Sequence, residues 1–167
     1  MAPGTQGDMK MVQKEAKKMG IEGAGPKIMA PAALYFVVAA IVSYVYRPMF
    51  DMAFVPREIT LGLAAVLFVI GIPLWLAAVA YFLLAWTKGE MATKGPYALM
   101  PNPIYSSWAV FVLPAMALAL NWWLLLGASV VLYAALRTFI GAEDCFMQSR
   151  YGQKYVEYRQ KVWLNFL

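Results

Sequence analysis

Histidine is absent from all 167 residues, and cysteine occurs once, at Cys145. The first absence removes the side chain that most often acts as a general base near neutral pH and most often ligates metals. Together the two leave no ligand set for zinc, so no metal site is expected. A single cysteine closes no internal disulfide. Ser106 and Ser107 have no imidazole to activate them, which excludes hydrolysis by a triad. Charge is scarce too, at 14% of residues. Neither a phosphate-cradling glycine loop nor a dinucleotide-binding glycine fingerprint is present.

What is there instead is apolar: 62% hydrophobic residues and a mean hydropathy of +0.60. With the few charges crowded into the tail and loops, this composition fits an all-α, membrane-embedded helix bundle rather than a soluble core. Residues 1–27 are rich in Lys, Gly, Met and Gln and read as a cytoplasmic tail, not as a signal peptide, because no small-residue cleavage pattern follows the first apolar stretch. Residues 28–167 then form one membrane-embedded domain. Ile28 to Tyr46 gives a first span of roughly 28 Å at about 1.5 Å per residue, ended by Arg47, Pro48 and Asp51. Ile59 to Trp86 is a second run, which Gly71 and Pro73 are expected to kink. Ile104 to Gly141 is long enough to cross and return, since one crossing needs about 20 residues. Pro114 and Asn121-Trp122-Trp123 are its interruptions. Four spans are expected.

Two polar islands flank that last stretch. One runs from Thr93-Lys94-Gly95-Pro96-Tyr97 through Asn102-Pro103-Ile104-Tyr105, and the other from Glu143-Asp144 through Tyr151-Gly152 to Tyr155 and Tyr158. If the stretch between them is a hairpin, both islands meet on one membrane face. After Asp144, Tyr151, Tyr155, Tyr158 and Val162 recur at helical spacing opposite Lys154, Glu157, Gln160 and Lys161. That pattern predicts an amphipathic C-terminal helix at the interface, where tyrosine and tryptophan favour the headgroup depth.

With the N-terminus in the cytoplasm, the inner side holds Lys10, Lys14, Lys17, Lys18, Lys27, Lys88, Lys94, Arg137, Arg150, Lys154, Arg159 and Lys161, against Arg47 and Arg57 outside. The positive-inside rule therefore predicts both termini in the cytoplasm. It also makes the net charge of +5 an orientation signal and a contact with anionic lipid rather than a nucleic-acid footprint. Intramembrane charges, the mark of channels and transporters, are lacking.

The polar groups that remain are Glu143 and Asp144, Arg137 two turns before them, Asn102 on a proline-stiffened loop, and the tyrosines. Arg137 sits where its stem can lie in lipid while its charge reaches water or a cofactor. Carboxylates accept hydrogen bonds from ribose hydroxyls or an ammonium, and tyrosine faces receive a sulfonium. Such a set suits holding a charged nucleoside better than acid-base work.

The order Gly-Pro-Tyr, Asn-Pro-x-Tyr, apolar hairpin, Glu-Asp-x-Phe, Tyr-Gly-x-x-Tyr-x-x-Tyr and Val162-Trp163 resembles the isoprenylcysteine carboxyl methyltransferase and phospholipid methyltransferase superfamily over about Thr87 to Leu167. The resemblance implies a membrane-embedded enzyme that moves a methyl group from S-adenosylmethionine to a lipid-linked carboxylate, amine or thiol. It also implies Gly95, Pro96, Tyr97, Asn102, Pro103, Tyr105, Glu143 and Asp144 as residues of the cofactor pocket. Where that superfamily has Arg-His-Pro, this chain has Pro101-Asn102-Pro103, and Asp144 replaces a second Glu. Methyl transfer from a sulfonium needs donor and nucleophile held in line and no protein histidine. The altered loop keeps a second reading open: the same fold serving as a lipid-binding or assembly subunit without catalysis.

The orientation is open to direct measurement. A labelling reagent applied from outside should modify a cysteine introduced near Asp51 and spare cysteines introduced near Lys10, Lys94 and Lys154; modification at Lys94 would invert the arrangement.

Overall fold

The computed structural model describes residues 25–164, so most of the expected tail 1–27 lies outside the described residues. Among those described, the chain is mostly helical, without a strand. Helix α1 covers Gly25–Val45, α2 Arg57–Thr87, α3 Pro103–Leu120, α4 Gly127–Tyr151 and α5 Gln153–Lys161. The first three and α4 with its preceding turn are long and apolar enough to cross a membrane. This is an integral membrane protein with four spanning helices and a short C-terminal helix. Only helices satisfy every backbone polar group within a single crossing, which is why so apolar a chain adopts no other element here.

Order across the bundle follows from where small residues lie. On α2 the buried positions are Thr60, Ala64, Gly71 and Ala78, a stripe of small side chains that lets α3 come close. A Cβ on Gly71 would stand 2.5 Å from Cβ of Phe111. Trp75 of α2 meets Trp108 of α3 edge to face, with centroids 6.1 Å apart. On the other side, Ile28 and Ala32 of α1 join Ala109 and Leu113 of α3 and Ala128, Leu132 and Leu136 of α4 in one core. Thus α1, α3 and α4 form the packed centre and α2 lies against α3. The outward face of α2, including Leu61, Val66, Val69 and Leu76, is exposed, as an apolar surface in lipid should be.

Helix α2 remains helical through Gly71 and Pro73. Two features differ from what the sequence pattern predicts. First, α3 widens into a π turn at Trp108–Val112, with the Leu113 N–H bonding the Trp108 carbonyl. Pro114 accounts for that, because its ring clashes with the carbonyl four residues earlier in a regular helix, and the wider turn relieves the clash. Second, α4 does not stop near Gly141 but runs to Tyr151. Glu143 and Asp144 are therefore inside a helix rather than beyond its end.

Between α3 and α4 the chain reverses at Asn121, which adopts a left-handed conformation (φ 64°), followed by a single turn at Trp123–Leu126. Asparagine is among the few side chains that accept this conformation readily. The Arg57 guanidinium donates to the carbonyls of Leu118 (3.0 Å) and Ala119 in the last turn of α3, where intrahelical donors run out. Met52 N–H donates to the Asn121 carbonyl at 3.0 Å. At the opposite end of the bundle, Gly25 lines a cavity between the helices, and the Leu164 N–H bonds the Leu99 carbonyl at 2.9 Å in the loop beside it. Both described ends of the chain thus lie on the same side.

Replacing Gly71 with Ala should force α2 away from the π turn and cost about 1–3 kcal/mol, the usual range for overpacking. Thermal unfolding in detergent should register a lower midpoint; an unchanged one would mean that α2 does not press on Phe111.

Candidate functional site

A cavity of about 330 Å³ opens at the end of the bundle that carries both polar islands, within the range of about 300–1,000 Å³ usual for small-ligand sites. Tyr97, Asn102 and Tyr105 come from the first island, and Glu143, Asp144, Tyr151, Tyr155 and Tyr158 from the second. Gly25 and Met29 of α1 and Phe82, Ala85 and Trp86 of α2 close the remaining walls. Every element except the far-side loops contributes.

The loop ahead of α3 is shaped by Gly95, at φ +61° with the Tyr81 ring so near that a Cβ would stand 2.5 Å from it. Only glycine takes that conformation in that space. Pro96 then starts a short 3₁₀ turn, Gly95–Ala98, which buries Pro96 and Tyr97. Pro103 occupies the first turn of α3, where its missing N–H costs nothing. Gly95, Pro96 and Pro103 therefore build the wall without lining it. Arg137 is exposed on α4 and is not among the residues around the cavity.

Asp144 is committed to holding α5. One of its oxygens accepts the Tyr155 hydroxyl, and the other pairs with Arg159 at 3.3 Å. Tyr158 adds a second tie, donating its hydroxyl to the Tyr97 carbonyl at 2.7 Å. Gly152, at φ 57°, breaks the helix so that α5 can turn back across the loop. The apolar face of α5 turns inward as its periodicity predicts: Tyr155 and Val162 are buried, whereas Lys154, Glu157, Gln160 and Lys161 are exposed.

Burial keeps the hydroxyls of Tyr97, Tyr155 and Tyr158 protonated. Tyr97 is held well above the ordinary phenol value, first by loss of solvent and then by the negative charge of Glu143. Tyr155 is raised by burial and by its Asp144 partner. Burial pushes Tyr158 up to about 12, with Arg159 opposing. The sign follows directly: a phenol whose value rises on folding contributes stability that is complete below its unfolded value of about 10 and is lost as the pH climbs through the folded one. The ties of α5 thus persist through the neutral range.

Phe82, Trp86, Phe146, Met147 and Arg150 were not expected at the site. On α4, Glu143, Phe146, Met147 and Arg150 follow at spacings of 3, 1 and 3, a single helix face that becomes visible only if the helix is carried past Gly141. Arg150 lies over the Trp86 ring at 5.2 Å, a cation-π contact linking α4 to α2. Chemically, the cavity offers a carboxylate, amide and hydroxyl hydrogen-bonding groups and aromatic faces. Carboxylates and amides hydrogen-bond hydroxyl and amino groups, and ring faces attract positive charge. No family model, no curated protein and no solved structure matches this chain.

Tyr158→Phe should release one end of α5 at a cost of about 1 kcal/mol. Hydrogen exchange should then quicken across residues 153–161 and not in α1; unaltered exchange there would show that the Tyr97 carbonyl contact does not hold the helix.

Proposed function

We propose that the protein is a membrane-embedded methyltransferase, moving a methyl group from S-adenosylmethionine to a lipophilic or lipid-linked acceptor, with the cofactor approaching from the cytoplasmic side. The observation that carries this reading is the convergence of Tyr97, Asn102, Tyr105 and Glu143 on one aromatic-lined cavity at the membrane surface. Their order in the chain, together with Gly95-Pro96 and Pro103, is the order the methyltransferase resemblance rests on.

In this reading Glu143 binds and orients, and Asn102 contributes an amide that both donates and accepts where the superfamily has histidine. The tyrosine faces receive the sulfonium. Asp144 supports the pocket indirectly, through Tyr155 and Arg159 of α5. Donor and acceptor need only be held in line for displacement at the methyl carbon, which is an entropic task well suited to a walled cavity. Water kept out of that cavity strengthens the charge-assisted contacts inside it.

Calorimetric titration of the detergent-purified protein with S-adenosylhomocysteine tests the assignment. Glu143→Gln should weaken binding about 10-fold or more, since a charge-assisted hydrogen bond is worth roughly 1.5 to 3 kcal/mol. Asp144→Asn should act chiefly through the stability of α5, and Asn102→His should preserve or raise affinity. Absence of binding in the parent protein and in both the Glu143→Gln and Asn102→His variants would leave the lipid-binding or assembly subunit as the better description.

A further inference from the structure

A second hollow, a groove of about 340 Å³, lies between α5 and the loop 91–98. Tyr158 is the one residue that borders both it and the cavity. Its character is different. Aromatic rings line the cavity, whereas the groove is lined by Lys154, Glu157 and Lys161 of α5, with apolar surface from Met91 and Val162 and a hydroxyl from Thr93.

Helix geometry sets the two lysines on one edge. Residues 154, 157, 158 and 161 fall at i, i+3, i+4 and i+7 on a single face of α5, and a rise of about 1.5 Å per residue puts the two lysine backbones roughly 10 Å apart. Their long, flexible stems let both ammonium groups converge on one oxygen-rich anion across that distance. Among the described residues, neither ammonium enters an ion pair or a hydrogen bond, and neither does the Glu157 carboxylate. Arg159, the remaining basic group of α5, is engaged by Asp144 instead. Two ammonium groups against one carboxylate leave the groove positive.

Depth identifies the source of the anion. Lys154 stands just past Tyr151, where the last spanning helix ends. Trp163, 82% exposed, directly follows the Val162 wall, and an indole in such a place favours the headgroup level of a bilayer. An anion at that level, over an apolar floor, is one already carried by the membrane.

We propose that this groove binds the phosphate of an anionic membrane lipid, clamped between the Lys154 and Lys161 ammonium groups. This is narrower than the attraction of any basic chain to an anionic surface, because it selects one helix face and two of its lysines. The Tyr158 hydroxyl holds the Tyr97 carbonyl, so a lipid seated here braces the helix that walls the cavity. The site is independent of what the cavity itself binds.

Amine labelling of the full chain, reconstituted in vesicles of phosphatidylcholine alone or mixed with phosphatidylglycerol, tests it, with the modification of each lysine followed by mass spectrometry. In the mixed vesicles Lys154 and Lys161 should react at least about 5-fold more slowly, the scale of effect expected for a lysine held at an anionic lipid. Lys88, exposed and outside the groove, should slow far less. Inorganic phosphate added to the phosphatidylcholine vesicles should protect neither groove lysine. Lys161→Gln should remove most of the protection at Lys154, and Glu157→Gln, which deletes the carboxylate between them, should increase it; both substitutions are at exposed positions. Equal slowing of Lys88 and the groove lysines would reduce the effect to diffuse surface charge and overturn the site. Protection by inorganic phosphate as strong as that by lipid would overturn the lipid as its source, and full protection of Lys154 in Lys161→Gln would overturn the clamp.

Discussion

The cavity exists because the chain turns round at Asn121. Lipid forbids an open backbone, so the apolar stretch after Ile104 has to leave the membrane or complete a helix on each limb. The left-handed Asn121 performs the reversal in few residues. Arg57 then covers the carbonyls that end α3, and Met52 bonds the Asn121 carbonyl, so the far-side loops lock the reversal from outside. With the turn fixed, the core of Ala109, Leu113, Ala128 and Leu132 sets the two limbs against each other. Residues 97–105 and 143–158 have no alternative to meeting at the opposite end. The polar chemistry is thus positioned by contacts a full membrane thickness away.

Much of this was legible in the residues. The four spans, the return of the hairpin and the inward face of the C-terminal helix follow from apolar length and helical spacing, signals that lipid makes unusually strong. The limits of α4 were not legible, because Glu143 and Asp144 resemble the polar boundary of a span when the helix in fact continues two more turns to reach Gly152. The π turn escaped for a different reason. Pro114 signals a disturbance, but whether a helix kinks, breaks or widens there is decided by packing against its neighbours, which no local pattern reveals. Arg137 was singled out from its distance to Glu143 along the chain, yet on a helix that distance of six residues leads to a different face. Trp86 and Phe82 were hidden in an apolar run, where aromatic side chains are ordinary.

The two neighbouring carboxylates illustrate how a helix divides labour. Adjacent positions on α4 point about 100° apart, so Asp144 and Glu143 cannot share one task. Asp144 meets α5, where Tyr155 and Arg159 take its oxygens. An ion pair this accessible adds little stability by itself, but joined to the Tyr158 and Leu164 contacts it fixes the helix that forms one cavity wall. Glu143 instead acts electrostatically on the phenols of Tyr97 and Tyr155. Its charge raises their proton affinity.

That mutual arrangement bears on why a chain without histidine can carry such a site. A proton-transfer enzyme needs a group that titrates near its working pH, and the hydroxyls of Tyr97, Tyr155 and Tyr158 are driven the other way, toward permanent protonation. They are fixed donors and ring faces, unsuited to shuttling protons. A displacement at a sulfonium methyl asks for little else: a cation to be held, a lone pair to be aimed, and solvent to be kept from the line between them. The same loss of solvent that locks the phenols makes a carboxylate beside them a stronger partner for positive charge. Burial, which would disable an acid-base site here, would under the proposed function strengthen the hold on a cation.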